Sequence, residues 1–220
     1  MTDSLLVPHV FLRHHPSALH VYSDSPLAVL SSAVAGGELG RARHLLNVRV
    51  PDDYQCGDPL ADLRATALAF RIEEPYVGLL TAVPMERAQI AVEYEETTTV
   101  AAVVTLGIGH TTAAGVTAAA ATRNPRGTIN IILVIDGRLP PAARVNAVIT
   151  ATEAKSLALI EAGIRGPHGG PASGTGTDAI IVASTERGTV HEYAGPISPL
   201  GALIGRTVRR CVQSGLALVV

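Results

Sequence analysis

Gly127-Thr128-Ile129-Asn130-Ile131-Ile132-Leu133-Val134-Ile135-Asp136-Gly137, followed by Pro140-Pro141 and an unbroken helical pattern to about Ala162, is the stretch on which the fold turns. Between its glycines the run is apolar and β-branched almost throughout, so it reads as a strand covered on both faces. The two prolines suit the first turn of a helix and Gly163 stands in the stop position. Past the glycine-rich segment 166–177 comes a second apolar run, Ala179-Ile180-Ile181-Val182-Ala183. Strand, long helix and strand in this order place a helix against a sheet.

Working outward, Val29–Val34 reads as a strand ending at the turn glycines Gly36-Gly37, and Leu45–Val50 as a strand stopped by Pro51. Residues 52–59 are loop. Asp58 caps a helix with Pro59 in its first position, running to about Arg71. Tyr76–Val83 and Thr97–Leu106 are strands, Ala113–Ala121 is loop or short helix, Thr189–Tyr193 a short strand and Gly201–Val212 a closing helix. Several strands follow one another with no helix between them. The fold class is therefore α/β, a single domain with a mixed β-sheet and helices packed on it, with α+β as the runner-up. Residues 1–26 read as an N-terminal extension and 27–220 as the domain. At 100° per residue the buried stripe of the long helix is Val145, Val148, Ile149, Thr152, Ser156, Leu159 and Ile160.

Composition removes several classes of function. Hydrophobic residues make up 47% of the 220 and charged residues 16%, which describes a tightly packed globule. A net charge of −2, no basic block and 3% aromatic residues argue against nucleic-acid binding. No apolar run is long enough to span a membrane, and no basic segment followed by an apolar core marks a signal peptide. Cys56 and Cys211 form neither a metal spacing nor a disulfide framework, which fits a reducing, cytoplasmic setting. The low charge leaves room for self-association as a homo-oligomer.

Sixteen of the seventeen basic residues are arginine; the exception is Lys155, in Thr152-Glu153-Ala154-Lys155. A position that resists arginine asks for a compact, titratable ammonium on a flexible stem. Glu153 and Lys155 lie about 160–200° apart around the helix, so they do not pair with each other. About twenty residues on, Gly174-Thr175-Gly176-Thr177-Asp178 forms a hydroxyl- and glycine-rich loop closed by a carboxylate. It lacks the Lys-Ser/Thr ending of a nucleotide-phosphate loop, which argues against a kinase or ATPase. The histidines show no ligand spacing, so no catalytic metal is expected.

Taken in order, Leu30-Ser31-Ser32-Ala33-Val34 with Gly36-Gly37, Asn47 before Val48-Arg49-Val50, Gly78-Leu79-Leu80-Thr81-Ala82, Val104-Thr105-Leu106-Gly107, Gly127–Ile132, Ala151–Lys155, Gly174–Asp178 and Tyr193-Ala194-Gly195 resemble the adenosylcobinamide amidohydrolase family of corrinoid salvage, over roughly residues 27 to 212. The Gly-Thr-Ile-Asn-Ile strand, the Thr-Glu-Ala-Lys helix and the Gly-Thr-Gly-Thr-Asp loop together carry the likeness. After Thr105 the chain reads Leu106-Gly107-Ile108-Gly109-His110 where the family more often has a Ser-Asn pair, which hands any polar role there to His110 and Thr111. The resemblance implies hydrolysis of the amide joining the aminopropanol arm to the corrin ring, giving adenosylcobyric acid, with the corrinoid as substrate and no resident cofactor.

Amide hydrolysis needs an activated water or nucleophile, donors for the oxyanion and an acid for the leaving amine. Asp178 is the candidate general base, or the group that orients one. Glu153 is the acid/base partner, Lys155 the oxyanion or phosphate ligand, and Thr177 a nucleophile or hydroxyl donor. Asn47, Thr81, Thr105 and Asn130 sit in or beside apolar strands and are expected either to satisfy one another or to face the corrin amides, with Gly36, Gly37, Gly174, Thr175 and Gly176 as further substrate contacts. Cys56 is a thiol nucleophile candidate of low weight. Two other readings stand beside this one: a corrinoid-binding protein without turnover, and an unrelated amide or acyl transferase using a threonine.

Overall fold

The computed structural model describes residues 3–55, 57–73, 75–118 and 127–219. Cys56 and residues 119–121 of the small-residue segment lie outside the described residues. The described residues form eleven strands and three α-helices: β1 (Ser4–Val7), β2 (Val10–His15), β3 (Ala18–Ser31), β4 (Leu39–Arg49), α1 (Pro59–Ala69), β5 (Tyr76–Thr81), β6 (Gln89–Glu95), β7 (Thr98–Leu106), β8 (Thr111–Thr112), β9 (Ile129–Asp136), α2 (Pro141–Glu161), β10 (Gly174–Thr175), β11 (Ala179–Ser184) and α3 (Pro199–Leu216). All strands but β8 and β10 belong to one mixed sheet.

That sheet folds back on itself through β3. The first half of β3 pairs with β2, its last residues pair with β11, and β4 runs along its other edge. A break in register between Tyr22 and Leu27 lets one strand serve both halves. One half is then β6-β7-β9-β11 and the other β1-β2-β3-β4-β5, packed face to face. The parallel pairs are β4–β5 and β9–β11. Each needs a crossover, and these are α1 and α2. The layers are α2 and α3, the first half-sheet, the second half-sheet, then α1.

Strand periodicity sorts the core. On β9, Ile129, Ile131, Leu133 and Ile135 point to α2 and α3. Ile132 and Val134 point to the other half-sheet. Both faces of β9 are covered, as its continuous apolar run requires. Asp58 accepts the Ala61 amide hydrogen at 3.0 Å and Pro59 opens α1, as expected. Residues 4–26, expected as an extension, form β1, β2 and the start of β3, and Leu6, Val7, Val10, Leu12, Leu19 and Val21 are buried in the inter-sheet core. The boundary at residue 27 falls inside β3.

The stripe expected on α2 is displaced. Ala143, Ala147, Thr150, Ala151, Ala154, Lys155, Ala158 and Leu159 are buried, whereas Val145, Ile149 and Ile160 are each close to half exposed. Alanines bring the helix close to α3 and β11, so tight backbone approach overrides side-chain hydrophobicity. The expected strand over 189–193 is a single bridge, Arg138 to Val190. β6, unread in the sequence, alternates as an edge strand.

On the outer face of β2–β4, His20 is buried beside His44, with ring nitrogens 3.0 Å apart, and also neighbours His15, Phe70 and Tyr22. Burial first, then His44, His15 and Arg13, push the His20 imidazole down to about 4, against the opposing pull of Asp3. His15 and His44 are lowered too, mainly by burial. A depressed histidine is neutral in the native protein, while the unfolded chain binds protons below 6.5, its ordinary value. Stability is thus full at neutral pH and falls on acidification from 6.5 towards about 4, by up to about 1.4 kcal/mol per pH unit for each proton. Urea unfolding across that window should show the fall, and His20→Phe should flatten it; an unchanged slope would remove His20 as its source.

Candidate active site

A cleft of about 690 Å3 opens at one end of the sandwich. Its walls come from the loop after β4 (Val50–Tyr54), the end of β5 and its following loop (Leu80–Pro84), Arg87, the β7 end (Leu106–Gly109), Gly127, Thr128 and Asn130 at the start of β9, and Thr177 and Ala179 before β11. The strand ends that meet here belong to both half-sheets, so the cleft exists only once the sheet has folded back.

Beneath this cleft lies a polar network that crosses the sandwich. Asn47 of β4 donates to the Thr105 hydroxyl at 2.9 Å. Asn130 donates to the Asn47 carbonyl oxygen at 2.9 Å and to the Leu80 backbone carbonyl at 2.8 Å. Thr128 donates to the Thr177 carbonyl at 2.9 Å and approaches the Asn130 side-chain oxygen at 3.2 Å. Asn47, Thr105 and Asn130 are each at most 1% exposed. Buried amides survive in an apolar core only when paired, and here they pair with one another across the two half-sheets. Of the four strand residues expected to satisfy one another or face substrate, Asn130 and Thr81 reach the cleft; Asn47 and Thr105 support Asn130 from behind.

The second element is the Asp178 carboxylate. One oxygen accepts from Lys155 Nζ at 2.5 Å and from the Thr175 amide at 3.1 Å; the other accepts from the Thr175 hydroxyl at 2.5 Å and from the Ile129 amide at 3.0 Å. The lone lysine and the loop carboxylate therefore meet, as an ion pair with the Lys155 side chain 9% exposed. Four donors occupy both oxygens, so the carboxylate ties together the segments around it. Through it α2, the start of β9 and the β10 loop are tied at one point. Lys155 and Asp178 stand behind the cleft wall, while their neighbours Thr177, Ala179 and Thr128 form its surface. At Gly174 a Cβ would lie 2.3 Å from Asp178 Oδ2 and 2.7 Å from Lys155 Nζ, so only glycine admits the pair.

The remaining candidates separate. Thr177 is exposed in the cleft and donates to the Gly127 carbonyl at 3.2 Å. Glu153 is exposed on the outward face of α2, away from the lining. Gly36 (φ +66°) and Gly37 make the turn between β3 and β4, where a Cβ would meet the Tyr76 and Ala33 carbonyls at 2.9 and 2.1 Å. Gly176 is exposed in the loop and Thr175 is buried under it. Sequence reading missed Asp52, Asp53, Tyr54 and Arg87, which bring the charged and phenolic groups to the cleft; the Pro51 strand stop and a polar loop were their only signal. Among the described residues no group of three or more His, Cys, Asp or Glu side chains is placed to hold a metal ion, and no helix is long and apolar enough to cross a membrane.

Gly174→Ala should break the ion pair and leave two charges poorly matched, lowering stability by about 3 kcal/mol and shifting the thermal midpoint downward. A midpoint equal to wild type would show that the glycine is not required by the pair.

The chain is 35% identical over 198 residues to an adenosylcobinamide amidohydrolase of Methanosarcina mazei, covering 86% of this chain and 90% of that protein. It is 33% identical over 195 residues to an adenosylcobinamide amidohydrolase of Halobacterium salinarum, covering 85% and 79%. Among solved structures it aligns with the PH0078 protein of Pyrococcus horikoshii at a TM-score of 0.46 and 14% identity, over 94% of this chain and 78% of that one. The family profile matches residues 7–219, taking in the first strands as well as the cleft, and the chain belongs to the adenosylcobinamide amidohydrolase family.

Proposed function

We infer that the protein hydrolyses the amide between the aminopropanol arm and the corrin ring of adenosylcobinamide, releasing adenosylcobyric acid and the free amine. Family membership over nearly the whole chain carries this reading. The cleft supports it: apolar walls suit the corrin periphery, and the Thr81, Thr128, Asn130 and Thr177 side chains are suited to the amides that stud that ring. The reading calls on no resident cofactor, the corrinoid being the substrate, and it places the enzyme in the cytoplasm.

We assign the attack to water. The Thr177 hydroxyl donates to a carbonyl rather than to a base, and a threonine nucleophile needs a base beside it. In this reading Asp178 and Lys155 are positioning residues: they fix the loop and the β9 start that carry Thr177, Thr128 and Asn130. The carboxylates that line the cleft are Asp52 and Asp53, and one of them takes the proton from water as its oxygen attacks the amide carbon. The same proton then passes to the amine nitrogen as the carbon–nitrogen bond breaks.

Incubation with adenosylcobinamide and mass-spectrometric detection of 1-amino-2-propanol tests the activity; binding without release would favour a corrinoid carrier. Exchanging Asp52 and Asp53 for Asn together should lower kcat about a hundredfold or more with the thermal midpoint unchanged. Asp178→Asn should lower kcat and the midpoint together, since an amide cannot accept from all four donors. Full activity in Asp178→Asn, or in Lys155→Arg, would remove the anchor from the mechanism.

A further inference from the structure

The mixed sheet has three free edges among its described strands, and they are not equivalent. β1 is four residues long with a register break between Leu5 and Val7. β5 is capped on its outer side by the bridge from Ala35 to Gly78. β6 is longer and regular: all seven of its residues pair in unbroken register with β7. No turn or loop backbone among the described residues bonds to it. Short length, bulges and covering segments are how proteins protect an edge, and among the described residues β6 has none of these.

Its side chains point the same way. Ala91 packs under the helices, so Ile90, Val92 and Tyr94 share the opposite face, where they are 41%, 40% and 80% exposed. On the helix side, Glu93 and Glu95 are held by Arg210 and Arg206 of α3 at 2.7 and 2.5 Å. The charges that could guard the edge are thus engaged within the chain, and an apolar row borders unpaired backbone.

We propose that β6 is the dimer interface, pairing antiparallel with β6 of a second copy about a two-fold axis at Val92. The sequence Gln89-Ile90-Ala91-Val92-Glu93-Tyr94-Glu95 is complementary to itself in this register. Val92 faces Val92, Ile90 faces Tyr94, Ala91 faces Glu93 and Gln89 faces Glu95, so no like charges stand opposite and apolar meets apolar. Centring the axis on Glu93 instead would oppose two carboxylates. Even residue sums keep the helices of both copies on the same side of the continuous sheet. The pairing uses the backbone groups that β6 leaves open, the strand-addition mode of recognition, with a second copy of the same chain as the added strand.

Analytical ultracentrifugation at micromolar concentration should give twice the 22.8 kDa chain mass. The outward-facing amides within residues 89–95, every second one because the others bond to β7, should exchange slowly with deuterium and become fast on dilution through dissociation. Val92→Lys, which sets two ammonium groups face to face at an exposed position, should sediment at one chain mass with an unchanged circular dichroism spectrum. Monomeric wild-type protein overturns the proposal. So does a dimer in which residues 89–95 exchange at the monomer's rate, or one that persists in Val92→Lys. Should that variant fail to fold, the dilution dependence of exchange in wild type decides alone: no change at residues 89–95 overturns the interface.

Discussion

The Asp178 carboxylate is where three separate segments of the chain are made to agree. Helix α2 arrives with Lys155, the β10 loop with the amide and hydroxyl of Thr175, and β9 with the amide of Ile129. A carboxylate so placed is costly to bury unless every oxygen is satisfied, and here each accepts two hydrogen bonds. The arrangement also explains two compositional oddities. A lysine reaches the oxygen as a single compact ammonium where a planar guanidinium would need more width. Gly174 is fixed because any side chain would occupy the space of the pair.

From that anchor the cleft follows. Thr177 and Ala179 flank Asp178 in the chain, and Thr128 and Asn130 flank Ile129, so fixing the carboxylate fixes the side chains on one wall. The opposite wall comes from β5 and the loop after β4, joined to the first through the Asn47–Asn130 and Asn130–Leu80 bonds. The amide network thereby sets how the two half-sheets register at the end that carries the cleft. Polar residues inside an otherwise aliphatic sandwich act here as alignment, since they satisfy one another in only one relative placement.

Much of this was legible along the chain. The apolar 129–136 run, the proline-opened helix and the 179–184 strand appear as read, because each is decided by local periodicity and turn chemistry. The helix cap at Asp58 is likewise local. Lys155 and Asp178 could be singled out by rarity and by loop composition. The face that α2 buries was not legible: a hydrophobic-moment argument favours Val145, Ile149 and Ile160, whereas close packing selected the alanines. β1, β2 and the first part of β3 are not legible, since a histidine-rich, proline-punctuated start lacks a clean alternation.

The sequence by itself determined the strand and helix inventory around residues 127–184, the family likeness and the identity of the two charged residues that meet. Only the tertiary structure decided what surrounds those residues. Two of the four donors to Asp178, the Lys155 ammonium and the Ile129 amide, come from segments that no spacing rule connects to it. In the same way Asp52, Asp53 and Arg87 become cleft residues only because β3 doubles the sheet back and sets one strand end over another.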